Sequence, residues 1–114
     1  PGVLLGLSGG IDSALVLAID PVVTVMCNGP KKGGAEQTIK TIREVKSLKD
    51  QFQLHRNVGL DASLQTPAEF IANSQETADC KGEWVLAKVA ADGATYTVQL
   101  GLEGKKHAYD TRSR

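Results

Sequence analysis

Val3 to Leu7 is a short, almost wholly apolar run, the pattern of a strand buried on both faces. Ser8-Gly9-Gly10 interrupts it. Ile11 to Ile19 follows, with small and aliphatic residues on most sides, the pattern of a buried helix. Asp20-Pro21 stops that helix, because the residue before a proline disfavours the helical region. Val22 to Met26 is β-branched and apolar and predicts a second strand. Strand, loop, helix and strand within residues 1–30 predict a short right-handed βαβ unit.

Beyond the loop from Asn28 to Gly34, Ile39, Ile42, Val45, Leu48 and Phe52 recur at three- and four-residue spacing. This predicts an amphipathic helix over Ala35 to Leu54. Glu36 near its start, with Lys49, His55 and Arg56 near its end, suits the helix dipole. Asn57 to Gln65 reads as a connection. Thr66-Pro67-Ala68-Glu69 is a helix-start signature, with Thr66 as cap, Pro67 in the first turn and Glu69 closing a capping box. The helix it predicts runs to near Cys80, with Gly82 beyond. Trp84 to Val89 and Thr95 to Leu100 flank Asp92-Gly93, a hairpin signal. Glu103-Gly104 offers a further turn before a third strand at Lys106 to Asp110. The expected fold is α/β or α+β: a short βαβ unit over 1–30, two further helices over 31–80, and an antiparallel hairpin or three-stranded meander over 83–110, in one domain.

Composition fits a globular chain: 114 residues, 41% hydrophobic and 23% charged, with 13 basic and 13 acidic residues balancing to zero. Neutral balance argues against a polyanion-binding protein, nucleic acid included. No apolar run approaches the roughly 18 residues of a membrane span. No basic residue precedes Lys31, so a secretory leader is not expected. Cys27 and Cys80, with His55 and His107, lack the short spacing of a metal site, and the thiols read as reduced, as in a cytoplasmic protein. The charge is less even locally than in total. Residues 1–30 carry net −2, 31–56 net +4, 57–80 net −4 and 81–114 net +2.

One motif points to chemistry. Ser8-Gly9-Gly10-Ile11-Asp12-Ser13 lies between a predicted buried strand and a predicted buried helix. A helix start there offers unpaired N–H groups and the positive end of a dipole. Gly9 and Gly10 let the backbone curl around an anion without an intervening Cβ. Ser8 and Ser13 add hydroxyl donors. Asp12, ionised, is placed to hold Mg²⁺ or a water rather than phosphate itself. Gly29 and Gly34 have the spacing of a Walker A loop, but Ala35 stands where its lysine belongs.

Leu4-Leu5-Gly6-Leu7-Ser8-Gly9-Gly10-Ile11-Asp12-Ser13-Ala14-Leu15-Val16 resembles the SGGxDS loop of the PP-loop ATP pyrophosphatases, most of all the synthetase domain of NAD⁺ synthetase. The resemblance covers about residues 3–19. It implies a Rossmann-like domain that cleaves ATP between its α- and β-phosphates, adenylates a carboxylate and forms an amide with ammonia. By matching position, Ser8, Gly9, Gly10, Asp12 and Ser13 would bind the pyrophosphate, with ATP and Mg²⁺ as cofactors. Domains of that family are roughly twice this length, which sets nucleotide binding ahead of complete ligase catalysis.

The end of that resemblance at Ile19 leaves another reading open: a composite or engineered scaffold without evolved activity. A third rests on the hairpin. Glu83-Trp84-Val85-Leu86-Ala87-Lys88-Val89, Tyr96-Thr97-Val98, Glu103-Gly104-Lys105 and His107 are similar to strands of Tudor-like, SH3-type barrels. That resemblance implies a protein-interaction module in which Trp84, Tyr96 and Tyr109 would cage a cation. Trp84 and Tyr96 read equally as hairpin core. The free edges of a short hairpin also allow a homodimer.

Overall fold

The computed structural model describes residues 4–7, for which only the backbone is considered, together with 18–75 and 82–111. They form a mixed α and β fold with two sheets. The first holds β1 (Leu4–Leu7), β2 (Val23–Met26), β3 (Asp50–His55) and β4 (Ile71–Asn73), in that spatial order and all parallel. The second is antiparallel: β5 (Val85–Val89), β6 (Thr95–Leu100) and β7 (Lys106–Asp110). The helix described along its whole length is α1 (Glu36–Arg43), between β2 and β3.

The two N-terminal strands form where the apolar runs predict them, and they lie side by side in parallel register, Leu4 to Leu7 against Val23 to Met26. Of the helix expected over Ile11 to Ile19, Ala18 and Ile19 are helical, and residues 11–17 lie outside the described residues. Asp20 follows with φ 52°, a left-handed turn ahead of Pro21 that ends the segment.

Two predicted helices are corrected. The helix expected over Ala35 to Leu54 ends at Arg43, and its second half is the turn of Glu44 to Lys49 followed by β3. Ile39, Ile42 and Val45 do share a buried face and pack with Met26. Phe52, which has the right helical spacing to join them, points to the opposite side of the sheet instead. The edge of β2 supplies the reason. Its backbone groups need partners, and a strand beside it satisfies them while burying Phe52 completely. The helix expected from Thr66 to near Cys80 is also replaced, by a single 3₁₀ turn at Ala68–Phe70 and then β4. Thr66 does not cap that turn. Its hydroxyl donates to the Gln53 side chain, and the strand beyond Phe70 pairs with the open edge of β3. Residues 76–81 lie outside the described residues.

Strand alternation distributes the core over both faces of the parallel sheet. Val23, Val25 and Phe52 face the antiparallel sheet and pack with Tyr96, Val98 and Tyr109. Met26 faces α1 with Ile39, Ile42 and Val45. Tyr109 ties the sheets together, its hydroxyl donating to Asp50 Oδ2 at 2.6 Å. Arg43, near the end of α1, donates to the carbonyls of Ser63, Leu64 and Gln65 and so holds the 3₁₀ turn at Ala62–Leu64 against the helix.

The hairpin forms where expected, with its first strand beginning at Val85 rather than Trp84, and the third strand, Lys106 to Asp110, forms as read. Its first turn spans Ala90 to Ala94. Gly93, at φ 71°, donates its N–H to the Ala90 carbonyl, and Asp92 accepts from the Ala94 N–H. This is a longer loop than the two-residue turn that Asp-Gly most often signals. No described helix is long and apolar enough to cross a membrane.

Candidate functional site

In parallel sheets ligands bind beyond the carboxyl ends of the strands, where the loops converge. Here Leu7, Met26 and Gln53 lie in register, so β1, β2 and β3 finish toward one edge of the sheet. From it leave the Cys27–Gly34 loop after β2, Arg56 to Gly59 after β3 and Ser74 after β4.

Three buried asparagines organise this edge, each just beyond or at the end of a strand. Asn28 Nδ2 donates to the His55 carbonyl at 2.8 Å, and Asn28 Oδ1 accepts from the His55 N–H at 3.3 Å, joining the ends of β2 and β3. Asn57 Nδ2 donates to the carbonyls of Gly33 and Gly34 at 3.2 and 2.9 Å. Asn73 Nδ2 donates to the carbonyls of Leu54 and Glu83 at 2.8 and 3.0 Å, and its Oδ1 accepts from the Glu83 N–H at 2.8 Å. An amide side chain presents both donor and acceptor, which lets one residue satisfy the mixed backbone groups that strand ends expose. Backbone bonds from Val58 N–H to Pro30 and from Arg56 N–H to Asn73 complete the stitching. The loops after β2 and β3, the end of β4 and Glu83 therefore form one connected rim.

Gly34 shows how tightly the rim is built. It has φ 64°, and a Cβ there would stand 2.9 Å from Met26 Sδ. Gly33 and Gly34 together turn the chain from the Lys31-Lys32 bend into α1. Ala35 stands at the N-cap of α1 and gives it no side-chain cap.

The charge at this edge is positive. Lys31 and Lys32 are exposed on the β2 loop, where with Gly29 and Pro30 they line an open concavity of about 350 Å³. Arg56 is exposed beyond β3, and Pro30, His55, Arg56, Val58, Asn73 and Gln75 meet around an adjacent crevice. The rest of the basic segment lies elsewhere. Lys40 pairs with Glu36 along α1. Lys49 donates its backbone N–H to Val22, at the amino ends of β2 and β3. Lysine and arginine side chains suit a phosphate-type anion rather than a cation, whereas the amide N–H groups of Asn28, Asn57 and Asn73 are already given to backbone carbonyls. Among the described residues no group of three or more His, Cys, Asp and Glu is arranged to hold a metal.

The sequence-predicted site residues Ser8, Gly9, Gly10, Asp12 and Ser13 lie outside the described residues. Cys27 is an exposed free thiol on the β2 loop, and Cys80 lies outside the described residues. The three aromatics of the hairpin do not converge. Tyr96 and Tyr109 stack in the core with ring centroids 5.3 Å apart, whereas Trp84 lies half-exposed at the other end of the hairpin. There it lines a groove of about 520 Å³ with Glu83, Leu102 and Glu103. The described antiparallel strands form a three-stranded sheet packed on the parallel one, not a closed barrel. Sequence reasoning missed Asn28, Asn57 and Asn73 as organisers, because asparagine after a strand reads only as a turn residue.

Comparison with protein-family models, with curated proteins and with solved structures found no match to this chain.

Proposed function

We propose that this protein binds ATP or pyrophosphate at the carboxyl edge of its parallel sheet. The observation that carries the reading is the pairing of β1 with β2. Leu7, which precedes Ser8-Gly9-Gly10-Ile11-Asp12-Ser13 in the chain, lies opposite Met26, at the edge where the Lys31-Lys32 loop leaves β2. The motif contains no cation of its own. Lys31 and Lys32 on the adjacent loop, with Arg56 beyond β3, provide positive charge at that edge. The PP-loop resemblance assigns the pyrophosphate contacts to Ser8, Gly9, Gly10, Asp12 and Ser13. In this reading Asp12 and the ligand's own oxygens hold Mg²⁺, which neutralises phosphate charge when bound. The asparagine-stitched rim fixes the loop positions in advance, which lowers the ordering cost of binding. The proposal is for nucleotide binding; formation of an amide through an adenylate is the further activity that the resemblance would imply.

Thermal unfolding with Mg²⁺ and millimolar ATP, pyrophosphate or AMP tests it. A ligand at one hundred times its Kd stabilises by about 2.7 kcal/mol, which moves the midpoint by several degrees. ATP and pyrophosphate should give that shift, AMP much less. Ser8→Ala and Asp12→Ala should remove it, and Lys31→Ala with Lys32→Ala should weaken it in a salt-dependent way. An unchanged midpoint with ATP and with pyrophosphate would refute the reading.

A further inference from the structure

The antiparallel sheet has two outer strands, and they differ in how they meet solvent. β7 carries Lys106 and Asp110, follows Lys105 and is the more charged edge. β5 reads Val-Leu-Ala-Lys-Val, with Lys88 as its one charge. Natural sheets protect their edges with charges, bulges or covering segments, because an open apolar edge pairs with other chains. Leu86 is 46% exposed and Val89 64% exposed, and Ala87 and Lys88 are exposed as well.

The register shows which groups are open. The Gly101 N–H donates to the Trp84 carbonyl and the Ala90 N–H to the Thr95 carbonyl. In an antiparallel pair the residues that bond to the neighbour alternate along the strand. Trp84, Leu86, Lys88 and Ala90 therefore turn their backbone groups to β6, and Val85, Ala87 and Val89 turn theirs outward. No described strand pairs with that outward edge. The side chains repeat the pattern. Val85, Ala87 and Val89 lie opposite Leu100, Val98 and Tyr96, on the face that looks toward the parallel sheet. Tyr96 and Val98 are buried there, while Ala87 and Val89 are exposed. The core reaches Val85 at the start of β5 but leaves Ala87 and Val89 uncovered, so the rest of the strand overhangs.

We propose that the outer edge of β5 is a homodimer interface, in which β5 of one copy pairs antiparallel with β5 of a second about a two-fold axis at Ala87. The occupant follows from the strand's own symmetry. With the axis on Ala87, Val85 meets Val89 of the other copy and Ala87 meets Ala87. The outward backbone groups of these residues are the ones that such pairing needs, two bonds for each facing pair. Leu86 then faces Lys88 of the other copy, whose aliphatic stem can cover it while the ammonium stays in water. The two antiparallel sheets join into one continuous sheet, and the overhanging apolar row is covered from both sides. β5 is thus self-complementary, as a two-fold interface requires.

Sedimentation equilibrium of the whole chain from micromolar to submillimolar concentration tests this, read beside amide exchange. The expected result is a monomer–dimer equilibrium, with slower exchange at Val85, Ala87 and Val89 as concentration rises. Ala87→Pro deletes an N–H that points away from β6, a place where an edge strand tolerates proline. It should raise the dimer dissociation constant by on the order of 10- to 100-fold, the worth of the two bonds lost across the axis. Val89→Lys, on a side chain already in solvent, should also weaken the dimer without unfolding the monomer. Ala108→Pro, at an outward-facing position of β7, should leave the dimer intact. A chain that stays monomeric throughout overturns the proposal. So does a dimer that survives both β5 substitutions or that Ala108→Pro abolishes.

Discussion

Replacing Tyr109 by phenylalanine removes one hydroxyl from the junction of the two sheets and leaves the ring. That hydroxyl donates to Asp50 Oδ2 at 2.6 Å, across 59 positions of sequence. The ring is buried and stacked on Tyr96, contacts that phenylalanine keeps. The loss is therefore one hydrogen bond to a charged acceptor, worth about 1.5–3 kcal/mol. Asp50 is only partly buried and regains water in the variant, which places the expected cost near the lower end, about 1–2 kcal/mol. For a chain of this size that lowers the thermal midpoint by roughly 4–10 °C.

The pH dependence provides an independent check. Burial, then the hydrogen bond to Asp50, then the Asp50 and Tyr96 charges hold the Tyr109 phenol well above its ordinary value. The folded chain thus keeps this proton at a pH where the unfolded chain gives it up. The contribution is fully present below about pH 10 and declines above it, by at most about 1.4 kcal/mol per pH unit. Phenylalanine has no such proton, so the deficit of Tyr109→Phe should narrow as pH rises above about 10. Urea unfolding at neutral and alkaline pH measures both quantities. A variant within about 0.5 kcal/mol of wild type at neutral pH, with a difference that does not change above pH 10, would refute the reasoning.

Two other substitutions probe the rim. Asn28→Ala leaves the His55 carbonyl and N–H without the side chain that joins them, and should cost about 1–3 kcal/mol by chemical denaturation. Gly34→Ala forces a Cβ toward Met26 Sδ at a positive φ and should destabilise by about 1–3 kcal/mol, whereas the same change at Gly93, where no atom lies within 4 Å, should cost only the backbone strain. Equal losses at the two glycines, measured by thermal unfolding, would show that the Met26 contact does not limit the loop.

The segments legible from sequence were those whose partners lie nearby or whose pattern admits one answer. The β5–β6–β7 meander was readable because each strand pairs with its neighbour in the chain across a turn that announces itself locally. β1 and β2 were readable as β-branched and aliphatic runs.

β3 and β4 were not legible. Ile42, Val45, Leu48 and Phe52 fit a helix by spacing alone, and Thr66-Pro67-Ala68-Glu69 carries a genuine helix-start signature. Both local preferences yield to the sheet. Parallel strands leave open backbone edges that only distant segments can fill, so Phe52 and Ile71 are drawn out of helices by partners that periodicity cannot see. The same holds for the candidate site. Its asparagines bond across 19 to 27 positions of sequence, and which loops they bring together depends on strand order. The chain's residues dictate which strands and turns are available and supply the phosphate-type motif. Long-range pairing decides which apolar runs become strands and which charges meet, because the energy of an edge is realised only when its partner arrives.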